Sequence, residues 1–131
     1  MSKRKELLLS LPVPITENHA YFYRMGRKNL NTAAKKWMSN AEEITRGEIK
    51  RQHWETTAKH KVVVEIHTYW PDARVRDTHN SYKLLFDALE NAKVFDNDRY
   101  ALARQIDYSI DRENPRVDLK IYLKEVTEVE P

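Results

Sequence analysis

The chain has 131 residues, with 23 Lys and Arg against 20 Asp and Glu, five His and no Cys. That length supports one core but not two, and the lack of Cys excludes a disulfide framework, a thiolate zinc site and a Cys nucleophile. The five His show no zinc-ligand spacing and no apolar run is long enough to span a bilayer, so a cytoplasmic protein with a single domain over residues 1–131 is expected.

The formal charge of +3 says little alone, but its distribution is uneven. Lys3, Arg4, Lys5, Arg24, Arg27, Lys28, Lys35 and Lys36 crowd the first half, and Glu125, Glu128 and Glu130 close the chain. Two readings stand: a basic face for polyanions, or ordinary solvating residues.

Glu6 to Leu11 reads as an edge or outer strand, closed by Pro12 and Pro14, which cannot donate to a ladder. Gly26 marks a tight turn in a hairpin beginning near Ala20. Packing against the sheet is expected of Phe22. Tyr23, Arg24 and Arg27 stay open between hairpin packing and contact with nucleic-acid backbone and bases.

Asn31 or Thr32 caps a long helix running to about Ala58, with Trp37, Met38, Ala41 and Ile44 turned to the core. Glu42 and Arg46 are a supportive pair on it, and Gly47 marks a bend or a close helix contact. His53 and Trp54 read as packing groups rather than ligands. Lys61 to Trp70, β-branched and aromatic over most of its length, is the strongest strand, and its near-continuous apolar start suggests a central place.

That strand delivers Pro71 and Asp72 into a charged loop, and a second helix follows. Tyr82, Leu85, Phe86, Leu89 and Ala92 form its buried face, Leu84 and Ala88 make the apolar stripe wide, and Asn80, Lys83, Asp87 and Glu90 fall on the other side. Asp77 or Thr78 caps its start. Asp77 and His79 therefore stand at one end, with Asp96, Asn97 and Asp98 just beyond the other. At about 1.5 Å of rise per residue the helix holds these groups apart. A shared site requires the chain to turn back around Lys93 to Phe95. Carboxylates brought face to face would repel, raising a pKa or recruiting a hard divalent cation. The plainer reading makes Asp77 a helix cap, Lys83 and Asp87 a surface pair, and Asp96 to Asp98 a turn.

Ala101 to Arg104 show no clear period. Gln105 to Asp111 alternates, with Ile106, Tyr108 and Ile110 on one face, Arg112 to Pro115 reads as a hairpin turn, and Val117, Leu119, Ile121 and Leu123 point inward. The sum is an α+β domain, a mixed β-sheet of about four strands with two helices packed on it.

These residues resemble the RusA-type endodeoxyribonucleases, the Holliday-junction resolvases of bacteria and their prophages. The likeness runs through Leu11 to Pro14, Asn18 and Tyr21 to Arg27. It continues through Pro71, Asp72, Arg76, Asp77, Asn80, Lys83, Phe86 to Leu89, Asp98 and Arg99, so it covers most of the chain. The resemblance implies a RusA-like homodimer that binds four-way DNA junctions by shape, in recombination and repair. Each subunit would cut one strand with water activated by Mg²⁺ or Mn²⁺. It makes Asp77 and Asp98 catalytic acids and metal ligands, sets Lys83 on the scissile phosphate and puts Arg76 close to the DNA. Arg24, Arg27, Lys35 and Lys36 are expected to hold phosphates.

Two positions depart from the family pattern. His79 stands where a second acid is expected, and Asn97 where an acid precedes the last Asp, with Asp96 one residue earlier. His is a poor Mg²⁺ ligand but suits Mn²⁺, and it can also move protons. His79 is then a metal ligand, or a base or orienting group on the attacking water, or the mark of lost activity. The last reading gives a rival function, a non-catalytic branched-DNA-binding module. A third is a dimeric RNA-processing nuclease.

Overall fold

The computed structural model describes residues 5–15, 20–74 and 81–125. Among them the order is β1 (Glu6–Leu11), β2 (Tyr21–Arg24), β3 (Arg27–Leu30), α1 (Thr32–Gln52), β4 (Val62–Trp70), α2 (Tyr82–Asn91), β5 (Ala101–Ile110) and β6 (Arg116–Leu123). Strands β1, β6, β4 and β5 form one mixed sheet in that order, and β2 pairs with β3 in a separate hairpin. β4 runs parallel to β5 and antiparallel to β6. Its inner place follows from its composition, since Val62, Val63, Val64, Ile66 and Trp70 are all buried. Parallel neighbours need a crossover, and α2 supplies it between β4 and β5.

Period-two alternation buries Leu7, Leu9 and Leu11 of β1 and Val117, Leu119 and Ile121 of β6. These meet Trp37, Met38 and Ala41 of α1 and Leu84, Leu85, Ala88 and Leu89 of α2 in one apolar cluster. The two helices are fastened to the sheet by polar contacts as well. The Gln52 amide donates to Leu8 O at 2.7 Å and accepts Leu8 N–H at 2.9 Å, which satisfies part of the β1 edge. At the start of α2, the Tyr82 hydroxyl donates to Gln105 Oε1 at 2.6 Å, and Gln105 Nε2 donates to Thr68 Oγ1 at 3.1 Å.

Several sequence expectations need correction. Arg112 to Pro115 does not join paired strands, because β4 lies between β5 and β6. The crossover through α2 delivers β5 to one edge of β4, and β6 takes the other. The connection is instead built on Asp111, whose carboxylate accepts the N–H groups of Glu113 and Asn114 and pairs with Arg116 at 2.9 Å. β5 begins at Ala101, and its register shifts between Ile66 and His67, which pair with Gln105 and Asp107 and leave Ile106 bulged. Ile106, Tyr108 and Ile110 are exposed, since they lie beyond Gln105, where α2 begins. Leu123 is also exposed, at the end of β6.

The first helix stops at Gln52, well before Ala58. His53 adopts φ 57°, its N–H reaches Lys50 O, and Trp54 N–H donates to Ile49 O at 3.0 Å, the pattern that closes a helix with a left-handed residue. His53 is therefore an exposed cap and only Trp54 packs inside. The helix passes through Gly47 unbroken, and nothing lies within 4 Å of where a Cβ would sit there. Thr45 is fully buried, its hydroxyl donating to Ala41 O at 2.7 Å, while Ile44 is only partly covered. In the hairpin, Tyr21 packs on the core and Phe22 remains 43% exposed. Helix α2 starts after Ser81, and its buried face is Leu84, Leu85, Ala88 and Leu89, with Tyr82 and Phe86 edge to face on its flank at 5.9 Å.

Candidate functional site

The reversal of the chain after α2 is made without glycine. Lys93 takes φ 72°, Val94 N–H donates to Leu89 O at 3.0 Å and Lys93 N–H to Glu90 O at 3.0 Å. This is the same left-handed closure that ends α1. The returning strand is then sewn to the segment that follows α1. Trp54 Nε1 donates to Val94 O at 2.9 Å and the Thr56 hydroxyl to Lys93 O at 2.7 Å. Thr57 N–H reaches Val94 O at 3.3 Å, and Asp96 N–H reaches Thr57 O at 2.9 Å. Phe95, fully buried, anchors the turn in the core.

From that anchor the chain enters a single 3-10 turn, Asp98–Tyr100. Asn97 caps it, its side-chain oxygen accepting Arg99 N–H at 2.9 Å. Asp98 N–H donates to Glu90 Oε1 at 2.6 Å. The chain does turn back around Lys93, and it leaves Asp98 exposed beside the last turn of α2, the end of the helix away from Lys83. Lys83 lies seven residues before Glu90 on the same helix, about 10 Å away along the axis. Asp87 stands between them, its Oδ2 at 3.5 Å from Lys83 Nζ. Asp77, His79 and Arg76 lie outside the described residues, as do Thr78 and Asn80.

Asp98 offers the oxygen donor that hard cations such as Mg²⁺ and Mn²⁺ take. Among the described residues no group of three or more His, Asp or Glu side chains could hold a metal ion. The donor chemistry at Asp98 thus fits such an ion only together with ligands from outside the described residues. The clefts lined by Trp54, Thr57, His60 and Leu123 and by Leu8, Ile44, Glu65 and Tyr69 contain neither Lys83 nor Asp98.

The basic residues singled out from the sequence belong to the hairpin and the helix it feeds. Arg24 and Arg27 face each other at the end of the β2–β3 ladder, and both are exposed. Met25 and Gly26 form the two-residue tip, with φ 53° and 74°, the left-handed pair that matches strand twist. Met25 is 94% and Tyr23 74% exposed. Asn31 fixes the next corner: its N–H donates to Ala20 O at 2.7 Å and its side chain accepts Ala34 N–H at 2.8 Å. Lys35 and Lys36 follow, exposed, near the start of α1.

Sequence reasoning placed Glu90 only on a solvated face, and read Asn97 as a departure and as part of a turn but not as its cap. Asn97 carried a recognisable signal, since Asn directly before a short charged turn is a favoured cap. No local signal marks the contact of Glu90 with a peptide eight residues on.

A family model described as Endodeoxyribonuclease RusA matches residues 12–122. The chain is 28% identical over 102 residues to the crossover junction endodeoxyribonuclease RusA of Shigella sonnei strain Ss046, covering 78% of each protein. The same identity and coverage hold for proteins so named in Escherichia coli strain K12 and in Enterobacteria phage 82.

Proposed function

The chain belongs to the RusA endodeoxyribonuclease family, and from that premise we propose that it resolves four-way DNA junctions by metal-dependent hydrolysis of phosphodiester bonds. The observation that carries this reading is the chain reversal that fixes Asp98, exposed, against the last turn of the helix whose first turn bears Lys83, inside the stretch the family model matches.

Asp98, with Asp77 and His79, would hold one or more Mg²⁺ or Mn²⁺ ions, which would supply an activated water and offset the charge that builds on the phosphate. Lys83 places its ammonium on the scissile phosphate, adding a point charge where negative charge develops. Arg76 and the exposed Arg24, Arg27, Lys35 and Lys36 hold flanking phosphates, so affinity falls steeply with salt. Two subunits related by a twofold axis cut the two strands symmetrically.

A labelled synthetic four-way junction, offered with Mg²⁺, Mn²⁺ or EDTA, tests the reading. The parent should cut with at least one metal and not in EDTA, while Asp98→Asn should bind without cutting. Binding without cutting under every metal would make the chain a junction-binding module. An Asp98→Asn variant that cuts at the parent rate would remove Asp98 from the site.

A further inference from the structure

We infer that Glu90 is a positioning residue for Asp98: its carboxylate grips the Asp98 peptide and thereby sets where the Asp98 side chain stands. The inference rests on the role proposed for Asp98.

Two observations carry it. The Asp98 N–H donates to Glu90 Oε1 at 2.6 Å, a charge-assisted bond that closes the reversal after α2. Glu90 sits in the last turn of α2, which carries no basic residue, so the helix dipole opposes its charge there. A carboxylate kept at an unfavourable position is held there by the bond it makes.

The bond is also local. Fully buried Phe95 and the hydrogen bonds of Trp54, Thr56 and Thr57 already fasten the returning chain upstream of it. Past Asp96 the tie is different. Glu90 takes the N–H of Asp98, and Asn97 takes the N–H of Arg99. These two acceptors fix the backbone on either side of the Asp98 Cα, and therefore the direction of its side chain.

The test uses Glu90→Gln, which keeps an acceptor oxygen and removes the charge, and Glu90→Ala, which removes both. Amide hydrogen exchange of Asp98, measured on the free protein, should speed up at least tenfold in Glu90→Ala and stay within about threefold of the parent in Glu90→Gln. On the junction substrate, Glu90→Ala should lose 10- to 100-fold in kcat and need more Mn²⁺ for half-maximal rate, with junction Kd within twofold of the parent. Glu90→Gln should restore both. Asp98→Asn, run alongside, separates the two ideas. If it is dead while Glu90→Ala cuts normally, the role of Glu90 is overturned and that of Asp98 stands. If Glu90→Gln is as impaired as Glu90→Ala, charge rather than the peptide contact matters, and positioning is overturned. If Asp98→Asn cuts like the parent, both fall.

Discussion

Thr57 gives an unusually sharp test of the strap that supports the Asp98 turn. Its backbone is in use on both sides, donating to Val94 O at 3.3 Å and accepting from Asp96 N–H at 2.9 Å. Its hydroxyl is buried without a hydrogen-bond partner among the described residues. Thr57→Val keeps the β-branched shape that suits the bridge to Phe95 and replaces the orphan hydroxyl with a methyl group. A buried polar group left unpaired costs about 1–3 kcal/mol. The residue is only partly covered, so the gain on substitution belongs at the low end, about 1 kcal/mol. For a chain of this size that raises Tm by roughly 3–5 °C. Urea unfolding followed by tryptophan fluorescence reads it directly, since Trp37, Trp54 and Trp70 are all buried. The midpoint should rise with an unchanged m-value, and junction cutting should keep the parent rate because the strap's backbone bonds survive. A loss of stability of about 1 kcal/mol or more would refute the reasoning, by showing that the hydroxyl is paired, for example to a bound water.

Tyr82→Phe removes the bond from the hydroxyl to Gln105 but keeps the ring against Phe86. The expected cost is about 1 kcal/mol by urea unfolding. A negligible change would mean that the link between α2 and β5 is apolar alone. Asp111 governs an acid limb of stability. Its carboxyl is held below the ordinary range, first by the N–H of Asn114, then by the hydrogen bond from Arg116, with smaller help from Glu113 N–H. A depressed folded pKa gives stability that is present above the unfolded value of about 3.9 and is lost as pH falls through the folded value. The stability difference between parent and Asp111→Asn should therefore be largest above pH ~5 and shrink toward pH ~2. A difference that does not vary with pH would show that Asp111 does not titrate with folding.

The strands were legible because apolar alternation fixes which side chains meet the core. Val117, Leu119 and Ile121 are buried as their spacing demands, and the unbroken apolar start of β4 marks it as an inner strand. Helix ends were less legible for a definite reason. Sequence reading looks for glycine at the left-handed closing position, but His53 and Lys93 occupy it here. The first helix accordingly looked longer than it is. The neighbours of β5 were also hidden, because a short turn-like segment reads the same whether it closes a hairpin or steps over an intervening strand. Of the candidate site, the reversal around Lys93 to Phe95 was legible as a geometric requirement, the exposed Lys83 followed from helix periodicity, and the exposed Asp98 from the turn-like run Asp96 to Asp98. The grip of Glu90 on the Asp98 peptide was not, since it depends on where a side chain lands after the chain has turned.

The charge at this corner bears on the order of events in the proposed reaction. The C-terminal end of α2 is the negative end of its dipole, to which Glu90 and Asp98 add two carboxylates, with Asp87, paired to Lys83, one turn back. Those carboxylates repel a DNA phosphate, whereas exposed Lys93 and Arg99 beside them, and Arg24 and Arg27 of the hairpin, attract one. In the proposed reaction a cation between the carboxylates and the phosphate would remove the repulsion, which would couple phosphate approach to metal occupancy. Asp98→Asn removes one of the opposing charges. In EDTA it should bind the junction at least as tightly as the parent, and the difference should fade as salt is raised toward 1 M, where screening acts within about 3 Å. Weaker binding by Asp98→Asn in EDTA would place the phosphate's attraction, rather than its repulsion, at this carboxylate, and the coupling would be wrong.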